Sequence, residues 1–165
     1  MDLRIEKLSA HHETSEFDCG SYHLNRYLNL FALTNGRANL AQTYILANGK
    51  QVIAYYSLVV GQVEHKDVPL RIGQGIGQYP ISVMILARLA VDKNQQKKGY
   101  GAALLKDALK RTANAANIAG IRAFLVHAKD SSAKDFYKKF DFQPSPLDEY
   151  HLFLLMKDIL KLVQK

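Results

Sequence analysis

Residues 81–111, ISVMILARLAVDKNQQKKGYGAALLKDALKR, join three pieces of different physical character. Ile81–Val91 is an aliphatic and β-branched run, too apolar for a sheet edge and too short to cross a membrane, and it reads as a buried central strand. Asp92–Lys98 is a polar turn. Gly99 and Gly101 follow it on either side of Tyr100, and glycine lets a backbone approach a ligand closely. From Ala102 the period changes: Ala103, Leu104, Ala108 and Leu109 recur at helical spacing, with Lys106, Asp107, Lys110 and Arg111 on the opposite face.

A strand that runs through a basic, glycine-containing turn into a helix gathers unpaired N–H groups and the positive end of the helix dipole at one point. Such a point binds anions. Asp92–Arg111 holds six Lys or Arg against two Asp, which suits a pyrophosphate. A Walker loop is excluded because Gly101 is followed by Ala102 and Ala103 rather than by Lys-Ser or Lys-Thr. The dinucleotide fingerprint is excluded because Leu104 stands where a third small residue is required. Gly73-Gln74-Gly75-Ile76-Gly77 also fails as a phosphate loop, since Pro80 and a strand follow it rather than a helix.

At 165 residues the chain is read as one domain, 1–165, large enough to bury a core without staples. The lone Cys19 allows no intramolecular disulfide, and MDLRIEKLSA is too polar for a signal peptide. A reducing, cytoplasmic setting is expected, with no membrane association, because no apolar run reaches about 18 residues. Net charge is +7 although only 22% of residues are charged. That bias attracts polyanions, whether the phosphates of a cofactor or a nucleic acid.

Outward from the central stretch, Leu3–Leu8 alternates as a first strand. Ser21 caps a helix that carries Leu24, Leu28 and Phe31 on one face and ends at Gly36, leaving Arg37 in a loop. Residues 43–47 and 52–60 form a hairpin through Asn48-Gly49. Residues 61–80 lose periodicity and read as a mobile loop. Ile121–Ala128 is a strand parallel to 81–91 across a helical crossover. A serine at the start of Ser131–Phe142 caps a short helix with Phe136 and Phe140 toward the core. His151–Met156 is a last strand and Ile159–Val163 a last helix. The six histidines show no metal-ligand spacing, no metal is expected, and His127 reads as a core residue.

Gln96-Lys97-Lys98-Gly99-Tyr100-Gly101, between a buried strand and an amphipathic helix, fits Q/R-x-x-G-x-G/A. It resembles the acetyl-CoA pyrophosphate loop of the GCN5-related N-acetyltransferases (GNAT). The resemblance implies an α/β (α+β) fold with a mixed central sheet of about six to seven strands and helices on both faces. It implies that backbone groups of Leu89, Ala90 and Val91 hold the pantetheine of acetyl-CoA. Gln96, Lys97, Lys98, Gly99, Tyr100, Gly101 and Ala102 take the pyrophosphate, and Ser131 is a further cofactor contact. Phe136-Tyr137-Lys138-Lys139-Phe140-Asp141-Phe142 is similar to F-Y-x-x-x-G-F, whose tyrosine protonates the leaving thiolate, so Tyr137 is the expected general acid. Asp141 replaces the usual glycine of that motif.

Ile81–Val91 contains no glutamate or histidine, where many such enzymes keep a base. Deprotonating a lysine at pH 7 costs about 4.6 kcal/mol, an α-amino group only about 1 kcal/mol. An aminoacyl ester would therefore need no strong base. Phe17-Asp18-Cys19-Gly20 with Leu24-Asn25 and Tyr27-Leu28, then Ala87-Arg88-Leu89-Ala90-Val91-Asp92, looks like the TacT-like GNAT toxins of type II toxin–antitoxin modules. Lys97 departs from the glycine common there. This resemblance implies acetylation of aminoacyl-tRNA, a homodimer whose basic surface holds tRNA, with Arg37, Arg88 and Lys93 as candidate phosphate contacts, and a ribbon-helix-helix antitoxin. Two alternatives stand beside it: a GNAT acting on protein amino groups or a small amine, and a non-catalytic acyl-CoA or nucleic-acid binding module.

Overall fold

The computed structural model describes residues 2–164. Among these are strands β1 (Leu3–Lys7), β2 (Gln42–Asn48), β3 (Gln51–Val63), β4 (Ile81–Val91), β5 (Ala123–His127), β6 (Gln143–Pro144) and β7 (His151–Leu155). The helices are α1 (Tyr22–Arg26), α2 (Ala32–Arg37), α3 (Leu70–Gly73), α4 (Tyr100–Ala115), α5 (Ser131–Lys138) and α6 (Met156–Val163). The strands make a seven-stranded mixed sheet in the order β1-β2-β3-β4-β5-β7-β6. β4 pairs with β5 in parallel, as a helical crossover requires, and the other described pairs are antiparallel. The two-residue β6 was not legible beforehand.

The chain divides into two compact units, Met1–Val59 with Ala87–Ala108, and Val60–Leu86 with Leu109–Lys165. In the first, every residue from Val52 to Leu58 is buried, so β3 is covered on both faces. Tyr55 points toward α1, where its hydroxyl donates to the Leu24 carbonyl at 2.8 Å. Tyr56 points the other way, stacking on Tyr44 and donating to Asp107 of α4 at 2.6 Å. Ser21 caps α1 as expected, its Oγ accepting from Leu24 N–H at 3.4 Å. Between α1 and α2 lies a π-helical turn, Tyr27–Phe31, which was not foreseen. Its extra residue rotates the apolar stripe, so Tyr27, Leu28 and Ala32 are buried while Phe31 is exposed. Gly36 lies inside α2, and Arg37 is helical rather than in a loop.

The second unit has a core of Val68, Ile72, Ile81, Val83, Ala123, Leu125, Phe153 and Leu155. Val68 and Ile72 belong to the stretch expected to be an irregular mobile loop; a 3₁₀ turn at His65–Asp67 and α3 dock it instead. Arg71 closes the attachment with a bidentate pair to Asp158 of α6 at 2.6 and 2.8 Å. A Cβ at Gly61 would lie 2.7 Å from Ile85 Cδ1, so the end of that side chain would have to shift to admit one. His127 is exposed rather than in the core, and its imidazole stacks at 4.0 Å on that of His151, its partner across β5 and β7.

Candidate active site

β4 carries the first part of the site. Its ladder with β5 runs from Val83 to Leu86 and stops there. Ala87–Val91, which include Leu89, Ala90 and Val91, therefore present an unladdered edge able to pair with an extended amide-bearing ligand. The strand ends in a tight turn: Asp92 N–H donates to the Ile53 carbonyl at 2.8 Å, and Asp92 accepts from Asn94 N–H through Oδ1 and from Gln95 N–H through its carbonyl.

Gln96 turns its side chain inward, donating to the carbonyl of Val91 at 3.0 Å and, at 3.5 Å, to that of Cys19. It closes the loop on itself. Lys97 has φ +63° and Gly99 φ +85°. A Cβ at Gly99 would meet no atom within 4 Å, so open space lies above the loop. Lys97 and Lys98 are exposed beside that space. α4 begins at Tyr100, so the N–H groups of Tyr100, Gly101 and Ala102 belong to its unsatisfied first turn. Exposed cations, free amide hydrogens and room above a glycine together fit a diphosphate.

α5 carries Tyr137. Asp130 caps this helix, not a serine: its Oδ1 accepts from Ala133 N–H at 2.8 Å. Ser131 is the first helical residue, with its Oγ 3.4 Å from the Tyr150 hydroxyl. Phe136 and Phe140 are half-buried, and the residue turned inward is Tyr137, 8% exposed and packed against Phe136 and Phe142. Burial pushes its phenol pKa up. No hydrogen bond to its hydroxyl forms among the described residues. Asp141 has φ +68°, the conformation that motif glycine normally supplies.

The three candidate cations differ. Arg88 is half-buried and lays its guanidinium on the Tyr27 ring, 3.5 Å from the centroid, and it forms no ion pair among the described residues. Arg37 is exposed and, with Lys7, Ser9, Gln42 and Thr43, lines a cavity of ≈ 320 Å³. Lys93 is engaged, its Nζ 2.9 Å from Asp18 Oδ2. Sequence reasoning gave no part to Tyr27 or Asp18, although both lie in the segment that suggested the narrower resemblance.

The family described as acetyltransferase (GNAT) domain matches residues 39–144. The chain belongs to this family. A tRNA-acetylating toxin of Mycobacterium tuberculosis is 38% identical over 157 residues, covering 95% of this chain and 94% of the relative. AtaT complexed with acetyl-methionyl-tRNAfMet superposes with a TM-score of 0.90 at 32% identity, covering 98% of this chain and 99% of that one. A tyrosine-to-phenylalanine mutant of AtaT, bound to the C-terminus of its antitoxin AtaR and to acetyl-CoA, superposes with a TM-score of 0.85 at 30% identity over the full length of both chains. Among the described residues no helix is long and apolar enough to cross a membrane.

Proposed function

We propose that this GNAT protein is the toxin of a type II toxin–antitoxin module that moves the acetyl group of acetyl-CoA onto the free amino group of an aminoacyl-tRNA, so blocking translation. The observation that carries the reading is the 38% identity, over nearly the whole of both chains, with a tRNA-acetylating toxin. It is supported by the surplus of positive charge and by the absence of a carboxylate or imidazole base on β4, where an acidic α-amino group needs none.

The whole chain, 1–165, acts as one acetyltransferase domain. Acetyl-CoA supplies an activated acyl thioester. The first-turn amides of α4 with Gly99, Lys97 and Lys98 hold its pyrophosphate, the free edge of Leu89–Val91 holds its pantetheine, and Gln96 shapes the loop. Ser131, at the start of α5, is a further contact. Tyr137 keeps a proton on its buried phenol and gives it to the departing thiolate. Arg88 and Arg37, without carboxylate partners among the described residues, contact RNA phosphates.

The working species is a homodimer in the cytoplasm, silenced by a ribbon-helix-helix antitoxin. The test is to incubate the protein with labelled acetyl-CoA and either charged or uncharged total tRNA. Label entering only the charged pool supports the reading. Label entering added protein or small amines but not charged tRNA overturns it.

A further inference from the structure

The Phe17-Asp18-Cys19-Gly20 segment has no part in the chemistry above, yet it is bonded directly to the root of the cofactor loop. Asp18 N–H donates to Asp92 Oδ2 at 3.1 Å, and Lys93 N–H donates back to the Asp18 carbonyl at 2.8 Å. The Asp18 carboxylate continues the contact, with Oδ2 2.9 Å from Lys93 Nζ. Its other oxygen accepts from Gly20 N–H at 2.9 Å and from Asn25 Nδ2 at 3.0 Å, and Asn25 Oδ1 accepts from Cys19 N–H at 2.8 Å. Gly20 takes φ +91°, which brings its N–H back onto the carboxylate. The segment is itself anchored, since Phe17 is buried edge-on against Tyr55 at 5.6 Å.

We infer that Asp18, held by Asn25, is a positioning residue for the acetyl-CoA loop. It locks the point where β4 gives way to Asp92–Gly99. The residues of this loop belong to no strand or helix, so their order rests on such contacts. Ordering a free loop costs backbone entropy at every residue fixed. A loop already held in shape spares the ligand that cost, and affinity rises accordingly. The Asp18–Lys93 ion pair is exposed and weak by itself; what matters is that the same carboxylate also fixes the backbone of the clamp. Lys93 is thereby assigned to the clamp and not to RNA.

This inference rests on the proposed acetyl-CoA site, and its test separates the two. Calorimetry with acetyl-CoA alone is run on the parent, Asp18→Ala, Asp18→Asn and Lys93→Met, with thermal unfolding of each and steady-state kinetics in both substrates. Asp18→Ala keeps the two main-chain bonds to Asp92 and Lys93 but loses the carboxylate contacts to Lys93, Gly20 and Asn25 that hold them in place, and should weaken acetyl-CoA binding about tenfold. Lys93→Met should weaken it only a few-fold. Asp18→Asn keeps an acceptor for Gly20 and Asn25 and should recover most of the affinity lost in Asp18→Ala. The KM for acetyl-CoA should rise while kcat and the KM for charged tRNA hold. A parent that fails to bind acetyl-CoA overturns the cofactor site itself. A parent that binds, with a folded Asp18→Ala or Lys93→Met that binds equally well, overturns only the clamp. Equal losses toward both substrates would also overturn it, since they would mark general damage.

Discussion

Replacing Tyr137 by Phe removes one oxygen and leaves the packing intact. The ring sits 5.1 Å from Phe136 and 5.6 Å from Phe142, and the hydroxyl forms no hydrogen bond among the described residues. No hydrogen bond within the described residues is lost, so stability should change by less than about 1 kcal/mol. Acetyl-CoA affinity should not change, whereas turnover should fall roughly 10²- to 10⁴-fold, the range for a lost general acid.

The pH dependence follows from the direction of the phenol shift. A phenol raised above its unfolded value of about 10 stays protonated in the fold, contributes stability fully present below about pH 10, and loses it as pH rises beyond. Below pH 10 Tyr137 is therefore not the group that limits the rate. The limiting group is the acceptor amine, so the rate should climb through about pH 7–8 in parent and variant alike. A phenol above 10 facing a thiol near 8.5 gives up its proton uphill by at least about 2 kcal/mol. On the proposed assignment, transfer is concerted with departure of sulfur, and the phenol is refilled by the proton that the attacking amine sheds. Stopped-flow detection of free thiol across pH 6–9 measures both quantities. A Tyr137→Phe protein that binds acetyl-CoA and turns over at the parent rate, or whose profile loses the rise near pH 7–8, refutes the assignment.

Arg88→Ala should raise the KM for charged tRNA and lower the dependence of log affinity on log salt by about one, read in filter binding over a salt series. Arg88→Lys should not restore it, because an ammonium cannot lie flat on Tyr27 as the guanidinium does. Ser57→Ala should destabilise by about 1–2 kcal/mol in urea unfolding, since Ser57 and Thr43, both buried, share a 2.7 Å hydroxyl pair and the Thr43 hydroxyl would lose its partner. At the left-handed positions Lys97 and Asp141, glycine should change stability by less than about 1 kcal/mol, while β-branched valine should cost more than about 1 kcal/mol, in the same assay.

Local periodicity is what made much of the fold legible. β4 has the bounds its apolar run suggested, α4 begins within two residues of the expected start, and Gly49, at φ +63°, turns the hairpin signalled by Asn48-Gly49. Where an extra turn of backbone enters, the same reasoning slips. The π turn at Tyr27–Phe31 moved Phe31 outward because helical spacing assumes 3.6 residues per turn throughout. On α5 the i, i+4 pair Phe136 and Phe140 was expected to face the core, whereas the buried side chain is that of Tyr137. In residues 61–80 the glycines and prolines masked a docked segment whose buried aliphatic side chains, among the described residues, are Val68 and Ile72, too few to show a period.

The site divides along the same line. The proposed pyrophosphate cradle is made of backbone, so glycine positions and element order point to it even where the side chains vary. Lys97 holds a left-handed position, φ +63°, despite the cost an L side chain carries there, and Gln96 serves by bonding to the chain itself. Asp18 lies on the other side of that division. Its bond to Asp92 joins residues 74 apart in sequence, and no periodicity, turn signal or charge pattern within a window of a few residues encodes such a pairing. What the sequence does carry is a carboxylate and a glycine that the helix after them does not need. Asp18 and Gly20 precede a helix that already has its cap in Ser21, so neither is needed to start it. One carboxylate oxygen serves the local turn through Gly20 and Asn25, while the other meets Lys93 and the Asp18 N–H reaches Asp92, contacts that no local signal announces.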